Sequence, residues 1–342
     1  MNKNINNHIG GEFEFDESLF NKKDNLFTKN CGSFYVNGRS ALKAIINDLI
    51  EKNIKLVYVP AYNCSSIIQV IKSLNISYRF YAIDKNFKPL IKPKENSAII
   101  INHYFGWKNQ FKKENNIHII EDATHIYLNK DYNILKSKNY IFISLRKHTP
   151  LAFGGWSNIR SKNMKETKEI SILAEEFISF RKKKFIQILN KSYYKNEIYF
   201  LDKLEYYEKK ISKIYDNECI PKIIKEHLIK YDWNKISERR RKNWNYLDNL
   251  IGKKVNKVFS RLERCTVPLG YVIRSEKRNL LRNNLLKERI FTSIHWELNK
   301  ELNEKKFLFE TTLSKEILTI PIDHRYNFYD MKVIANKISK YI

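Results

Sequence analysis

The sequence predicts an α/β protein with a large, mostly parallel sheet and a smaller C-terminal α+β domain. Between about residues 34 and 160, short apolar segments alternate with amphipathic ones, as in βαβ units. Residues 163–250 are rich in Lys and Glu and carry apolar residues at helical spacing, and short apolar and helical patterns mix again after residue 252. We therefore expect a large domain with a helical connector over residues 1–235 and a small domain over residues 236–342.

The helices and strands follow from the spacing of apolar side chains. In residues 40–52, SALKAIINDLIEK, apolar residues from Leu42 to Ile50 recur at i, i+3, i+4, i+7 and i+8, which places them on one helical stripe. A second helix is expected over residues 65–74, where a pair of serines can cap the first amides. Other segments run apolar without strict alternation, as in strands that are covered on both faces. These segments are 55–60, 77–84, 97–106, 117–123 and 140–144.

Composition limits the class of protein and its compartment. The chain has 342 residues with 43% hydrophobic content, enough to fill the cores of two domains. No apolar run reaches the ~18 to 20 residues of a membrane span, and the start, MNKNINNHIGG, lacks the apolar stretch of a signal peptide. The four cysteines, Cys31, Cys64, Cys219 and Cys265, form no C-x-x-C pair, so neither a zinc site nor a disulfide framework is expected. We expect a cytoplasmic protein.

Positive charge is the most unusual feature of the composition. The chain carries 63 Lys and Arg against 37 Asp and Glu, a net charge of +26, which by itself favours nucleic acid, an acidic membrane surface or phosphorylated substrates. Lys is abundant along nearly the whole chain, so the charge is spread rather than concentrated on one basic face. Two clusters exceed this background, Arg181 to Lys184 and Arg239 to Lys242. Solvated faces account for both clusters without a nucleic-acid partner.

Polar residues follow the predicted strands, at the edge where open α/β sheets bind their ligands. Gly38, Arg39 and Ser40 begin the first helix, whose N-terminal amides and dipole favour a phosphate; an ordinary helix cap with a turn glycine also explains these residues. Asp122 ends an apolar run, where an unpaired carboxylate would be costly, so a pyridinium nitrogen or a structural arginine is expected to hold it ionised. His125 follows three residues later and is either a site residue or a polar turn residue.

A serine and a lysine follow the last of these strands. In ISLRK, Ser144 and Lys147 come just after the apolar run that ends at residue 144. A lysine that is partly buried among other cations loses its proton more readily, and the neutral amine can form a Schiff base with an aldehyde. A solvated lysine at the end of a strand is the alternative interpretation.

Taken together, these features resemble the fold-type-I enzymes that use pyridoxal phosphate, and more closely the sugar aminotransferases called the DegT or StrS family. The similarity covers nearly the whole chain. Its most specific part is IIEDATH (119–125), which resembles the family's E-D-A-x-H/Q signature, followed by Ser144 and Lys147. Other similar segments are GRSAL, VPAYNCSSI, INHYFG, RRRKNWNYLDNL and LTIPIDHRYNFYDMKVI.

The resemblance implies a fold and a function. The fold would be that of a fold-type-I transferase, with helices on both faces of the large sheet. The activity would move an amino group, from glutamate as donor, onto a keto group of a nucleotide-linked sugar. A homodimer is implied, since the active sites of the family lie at the subunit interface. Alternatives within the same fold are a sugar dehydratase or epimerase that uses the same cofactor, and a family member with altered or lost catalysis. Such a member could bind the cofactor or lack it, and would act as a partner protein or regulator.

The resemblance also assigns roles to individual residues. Lys147 would form the Schiff base with the cofactor aldehyde and later carry a proton at the substrate carbon. Asp122 would pair with the pyridinium nitrogen, which keeps the ring an electron sink, and His125 would lie near the ring hydroxyl.

The cofactor phosphate would be held by the backbone amides around Gly38 and Arg39 and by the hydroxyls of Ser40 and Ser144, with Arg39 adding charge. In relatives, a later Gly-aromatic-Asn-x-Arg segment reaches the phosphate of the neighbouring subunit. This chain lacks that segment. EFISFRKKKF (176–185) stands near its place, so an arginine or lysine there is the expected substitute.

Two positions depart from the family pattern. Relatives commonly carry the lysine five residues after the serine, whereas Lys147 follows by three. An ungapped alignment puts Thr149 in the lysine's place, which would make the protein catalytically altered or inactive; we favour Lys147, because a shortened loop can still deliver its amine. Cys64 stands where relatives often have an aromatic residue that stacks on the cofactor ring. Tyr62 or Tyr104, each of which follows a strand end, is a candidate substitute, and a core or surface role is the alternative for each.

Overall fold

A computed structural model describes most of the chain. The described residues are 8–22, 32–112, 116–134, 136–160, 164–214 and 219–342. Cys31 and the first seven residues, which enter the predictions on cysteine pairing and on a signal peptide, lie outside this part.

The described residues alternate between helices and strands, as the sequence predicts. The helices are α1 (Gly38–Glu51), α2 (Ser65–Ser73), α3 (Lys168–Leu189), α4 (Glu197–Ser212), α5 (Lys222–Lys230), α6 (Trp233–Ile251), α7 (Arg278–Lys287), α8 (Leu308–Glu316) and α9 (Phe328–Tyr341). The strands are β1 (Ile9–Gly10), β2 (Ser33–Tyr35), β3 (Leu56–Pro60), β4 (Ser77–Ile83), β5 (Pro89–Leu90), β6 (Ser97–Asn102), β7 (Ile117–Asp122), β8 (Tyr140–Ser144), β9 (Gly155–Ser157), β10 (Asn256–Lys257), β11 (Tyr271–Arg274), β12 (Ile290–Phe291) and β13 (Ile317–Ile320).

The largest sheet has eight strands in the order β2-β9-β8-β7-β6-β3-β4-β5. Neighbours β4, β3, β6 and β7 are parallel, whereas β2, β9 and β8 pair antiparallel, as do β4 and β5. All six residues of β6 are buried, which fits a strand covered on both faces. The predicted α/β class with a large, mostly parallel sheet is confirmed.

The chain forms two compact units. One contains Glu12–Ile45 and Phe142–Trp233, and the other contains His8–Gly11, Ile46–Ile141 and Asn234–Ile342. The second unit includes the predicted α+β elements, where β10, β11 and β13 form a small antiparallel sheet and β1 pairs with β12. The division into a large and a small domain at residue 235 stays a prediction.

Two sequence predictions are wrong, one about which residues of a helix are buried and one about where a strand ends, and each has a local reason. In α1 the predicted apolar stripe is buried except for Ile50, which is 41% exposed. Ile50 lies eight residues, or about 2.2 turns, after Leu42, and so falls at the edge of the stripe. The predicted strand 97–106 ends at Asn102, because Phe105 and Gly106 take φ values of 57° and 110° that a strand does not accommodate.

Across the described residues, each helix is too short or too polar to pass through a lipid bilayer.

Candidate active site

The predicted phosphate segment lies at the start of α1, and a residue that the sequence reasoning missed holds it. Asn37 Oδ1 accepts hydrogen bonds from the backbone N–H of Ser40, at 3.0 Å, and from its hydroxyl, at 3.4 Å. Asn37 therefore caps the helix. An asparagine three residues before a serine at a helix start is a recognisable capping pattern, and this signal was available in the sequence. Ser40 is buried with its hydroxyl turned toward the cap, whereas Gly38 and Arg39 are half-buried.

Gly38 and Ser144, two residues predicted to share the phosphate site, lie against each other. A Cβ on Gly38 would come within 2.9 Å of the Ser144 Cβ, closer than carbon atoms approach without displacement. A Cβ on Gly155 would meet the carbonyl oxygen of Asn37 at 2.1 Å. The start of α1 thus lies against the last residue of β8 and the first residue of β9, at a distance that only glycines permit.

Lys147 ends a single 3-10 turn, Leu145–Lys147, that directly follows β8, and it is exposed. The loop after it is fixed by buried hydrogen bonds. The Thr149 hydroxyl donates to the carbonyl of Leu145 at 3.1 Å, and the Tyr231 hydroxyl donates to the carbonyl of His148 at 3.1 Å. Thr149 is only 1% exposed. The two candidates for the catalytic lysine position therefore differ in access: Lys147 reaches solvent and Thr149 does not.

A carboxylate in the same unit lies near Lys147. The charge and hydrogen bond of Arg181, with smaller contributions from the charges of Arg146 and Lys147, lower the pKa of the half-exposed Glu12 carboxyl below its ordinary value. Glu12 Oε2 is 2.7 Å from Arg181 Nη2. The positive charge around the Lys147 turn is thus partly balanced by Glu12.

The basic clusters that suggested a charged surface are engaged within the chain. Arg181 is 3% exposed and donates to Glu12 and to the carbonyl of Phe13. The other three side chains of this cluster also have partners. Lys182 pairs with Glu17, Lys183 lies over the Tyr199 ring, and Lys184 pairs with Glu14. Arg181 and Lys184, the buried members, are therefore committed to the fold of their own chain.

The second cluster is similar. Arg240 is buried and donates to the carbonyl of Leu269 at 2.7 Å. Arg241 donates to the carbonyls of Glu263 and Thr266, and Lys242 forms a surface ion pair with Glu238. These two arginines stabilise loops of the second unit.

Asp122 is the last residue of β7 and is half-buried. Its Oδ1 accepts the backbone N–H of Thr124 at 3.0 Å. Glu121, the preceding residue, points to the opposite face of the sheet. There it accepts hydrogen bonds from four side chains: His103, Tyr132, Ser137 and Asn139. The adjacent carboxylates of Glu121 and Asp122 therefore lie on opposite faces of the sheet and have different hydrogen-bond partners.

Burial alone would raise the pKa of Glu121, but hydrogen bonds from His103, Tyr132 and Asn139 lower it to about 2. This buried carboxylate is ionised and fully hydrogen-bonded.

His125 is buried, and its Nδ1 accepts the backbone N–H of Phe105 at 3.2 Å. The ring is therefore neutral, with its proton on Nε2. Trp296 lies parallel to His125, with ring centroids 5.7 Å apart and an interplanar angle of 9°. The sequence reasoning missed Trp296, since it stands in a segment without helical or strand periodicity.

The two tyrosines considered for ring stacking are in the core of the second unit. Tyr62 donates its hydroxyl to the carbonyl of His295, and Tyr104 donates to the carbonyl of Tyr62 at 2.7 Å. Burial raises the pKa of both phenols well above the ordinary value. Both rings pack against Phe87 and Trp296. Their role toward a cofactor stays a prediction.

Cys64 is the N-cap of α2, and its Sγ is 3.1 Å from the Ser66 hydroxyl. The prediction that the serines cap this helix is wrong, because Ser65 and Ser66 already lie in its first turn. Of the predicted site residues, those from Gly38 to Ser40 with Ser144 and Lys147 belong to the first unit. Tyr62, Cys64, Asp122 and His125 belong to the second.

Comparison with known proteins gives structural matches. No protein-family model matches the sequence, and no curated protein sequence is similar to it. Many solved structures match this chain, and the following three match most of it. Spr1654 of Streptococcus pneumoniae, named as a sugar aminotransferase and solved in its PLP form, matches with a TM-score of 0.64 and 14% identity over 97% of this chain and 94% of its own.

A DegT DnrJ EryC1 StrS aminotransferase from Brucella abortus matches with a TM-score of 0.58 and 17% identity, over 91% of this chain and 85% of its own. DesV of S. venezuelae, solved in complex with a ketimine intermediate, matches with a TM-score of 0.60 and 13% identity, over 91% and 84%. The fold expected from the sequence motifs is confirmed: this chain has the fold of the DegT and StrS sugar aminotransferases.

Proposed function

We propose that this protein is a pyridoxal-phosphate-dependent aminotransferase that transfers an amino group, with glutamate as donor, to a keto group of a nucleotide-linked sugar. The match over 97% of the chain to a sugar aminotransferase solved in its PLP form carries this proposal. The motif residues support it, since Asp122 and Ser144 each stand at the carboxyl end of a strand, where open α/β sheets bind ligands.

The chemistry of these residues fits the cofactor. The amides at the start of α1, the hydroxyl of Ser144 and the guanidinium of Arg39 suit a phosphate dianion. The Asp122 carboxylate suits a protonated ring nitrogen, because an opposite charge nearby favours the ionised form of both groups. The close approach of Gly38 to Ser144 brings two of the phosphate residues together within one unit.

Each residue then has a stated task. The amine of Lys147 would bind the cofactor aldehyde and move a proton at the substrate carbon. His125 would lie near the ring hydroxyl, and its Nδ1 accepts the backbone N–H of Phe105, which fixes the orientation of the imidazole. When bound, pyridoxal phosphate supplies an electron sink that stabilises a carbanion next to the nitrogen.

The substrate class is proposed on the charge of the chain. A net charge of +26 suits a diphosphate-bearing substrate. The arginines at positions 181, 240 and 241 are bound to their own chain, so the clusters give little support for a nucleic-acid partner. A homodimer in the cytoplasm belongs to the same proposal.

A second candidate function keeps the fold and the cofactor but changes or removes the turnover. The observation that favours it is the buried, hydrogen-bonded Thr149 at the ungapped lysine position. Such a protein would bind pyridoxal phosphate without transferring an amino group, or would catalyse a dehydration.

An absorbance spectrum of the purified protein, before and after glutamate, separates these functions. The aminotransferase shows a visible band of bound pyridoxal phosphate that declines when glutamate donates its amino group. A band that glutamate leaves unchanged favours the second candidate. A colourless protein that does not bind added pyridoxal phosphate contradicts both.

A further inference from the structure

We infer that Asn102 is a second binding residue for the ligand group that Asp122 holds. Asn102 ends β6 and Asp122 ends β7, and the two are paired in register. Residues paired on neighbouring strands point to the same face of the sheet, with Cβ atoms roughly 5 Å apart. The amide and the carboxylate therefore stand side by side at the carboxyl edge of the sheet.

Asn102 is deeply buried and incompletely hydrogen-bonded. Asn102 is 4% exposed, and its Oδ1 accepts no hydrogen bond from any residue that the structure describes. Buried polar atoms are nearly always paired, and an unpaired one lowers stability. An acceptor kept in this state indicates a donor that the chain itself does not supply.

The surroundings offer no structural reason for an amide at this position. The nearest preceding residues on the same face of the two strands, Ile100 in β6 and Ile120 in β7, are apolar and buried, and the polar residue of this face, His118, lies two residues further back. The polar network of Glu121 and His103 faces the other way. A leucine of similar volume would continue the apolar face at Asn102 and remove the unpaired Oδ1.

The chemistry of the pair defines what it binds. Asp122 contributes a negative charge and Asn102 a neutral acceptor, so the matching group is a positively charged N–H donor. Resting on the proposed function, that group is the protonated ring nitrogen of pyridoxal phosphate. Asn102 would accept part of its hydrogen bond and hold the ring plane beside Asp122.

The experiment compares the wild type with Asn102→Leu and with a control, Asn109→Leu. Asn109 is a matched control because it also has a buried Oδ1 without a partner among the described residues. Its Nδ2, however, donates to the carbonyls of Phe87 and Asn102, and its backbone N–H donates to His103, which belongs to the Glu121 network. Two quantities are measured: the thermal midpoint without cofactor, and the affinities for pyridoxal phosphate and for an analogue with C–H in place of the ring nitrogen.

Asn102→Leu is expected to raise the thermal midpoint, because an unpaired buried acceptor is removed, while its affinity for pyridoxal phosphate falls about tenfold. Its affinity for the analogue should change by less than about twofold, since the analogue has no N–H to lose. Asn109→Leu should lower the midpoint and leave the preference between the two compounds as in the wild type.

Equal losses for both compounds in Asn102→Leu, or no loss, would overturn the inference and leave the proposed function standing. A wild type that binds neither compound overturns both. Asn102→Ala, which cannot overpack the site, repeats the comparison if the leucine variant does not fold.

Discussion

The imidazole of His103 donates a hydrogen bond from Nε2 to the buried carboxylate of Glu121, with 3.0 Å between Nε2 and Oε2. The direction of the bond follows from the other ring nitrogen, because Nδ1 accepts the backbone N–H of Asn109 at 3.0 Å. The backbone N–H of His103 also donates to the carbonyl of Asp122. One histidine thus holds both residues of the E-D pair at the end of β7.

Acid should remove the stabilisation that Glu121 provides. Its folded-state pKa, about 2, is below its ordinary value of 4.5, so its contribution is complete above about pH 5 and is lost as the pH falls toward 2. The difference corresponds to about 3 kcal/mol. The free energy of unfolding, measured with urea, should therefore fall between about pH 5 and pH 2 by about 3 kcal/mol less in Glu121→Gln than in the wild type. Glu205→Gln, which removes an exposed ion pair with Lys209, is the control, and an equal effect in both variants would contradict the prediction.

A methyl group on Gly38 should destabilise the start of α1. The added Cβ of Gly38→Ala would lie 2.9 Å from the Ser144 Cβ, and such overpacking costs about 1 to 3 kcal/mol. Ser144→Gly in the same chain removes the atom that clashes, so the double variant should recover most of the loss. The free energy of unfolding of the four proteins decides the point. Additive losses would show that the two residues do not touch.

A lysine at position 149 should not replace Lys147. Lys147→Ala is expected to lose the visible absorbance of bound pyridoxal phosphate. Adding Thr149→Lys to that variant should not restore it, because position 149 is buried and its hydroxyl holds the carbonyl of Leu145. Restored absorbance in the double variant would show that the ungapped alignment is the correct one.

Arg181 should matter for stability far more than its neighbour in the same cluster. Arg181→Gln loses charged hydrogen bonds to Glu12 and to the Phe13 carbonyl, at a cost of about 2 to 3 kcal/mol. Lys182→Gln loses only a surface ion pair with Glu17, which is worth less than about 1 kcal/mol. Urea unfolding of both variants measures the difference. Equal, small losses in the two variants would contradict the prediction and show that Arg181, like Lys182, behaves as a solvated surface residue.

Sequence patterns predicted the parts of the fold whose apolar spacing is regular. The central strands and α1 have buried runs or stripes that local periodicity reveals. By contrast, α8 buries Glu310, Thr311, Leu313 and Ser314, so its inward face is mostly polar and hydrophobic spacing cannot show it. Strands β1 and β12 have two residues each, too few for any pattern.

The candidate site was predicted to the extent that it is encoded in local motifs. GRSAL and IIEDATH give the residues at the start of a helix and the end of a strand. The resemblance assigned Gly38 and Ser144 to one phosphate site, and their close approach is a finding of the structure. Contacts between distant segments were not accessible. Trp296 against His125 and Arg181 against Glu12 depend on the tertiary fold. The unpaired Oδ1 of Asn102 also depends on the tertiary fold, because no local sequence pattern shows which buried acceptors lack a donor.

The attachment site of the cofactor tests the central claim most directly. Purified protein is incubated with pyridoxal phosphate, reduced with borohydride, digested and mapped by mass spectrometry. The chain carries 48 lysines, so many surface amines compete for the label. We predict a single, stoichiometric pyridoxyl group on Lys147. A label on another lysine, or one spread among surface lysines without preference for Lys147, would contradict the account.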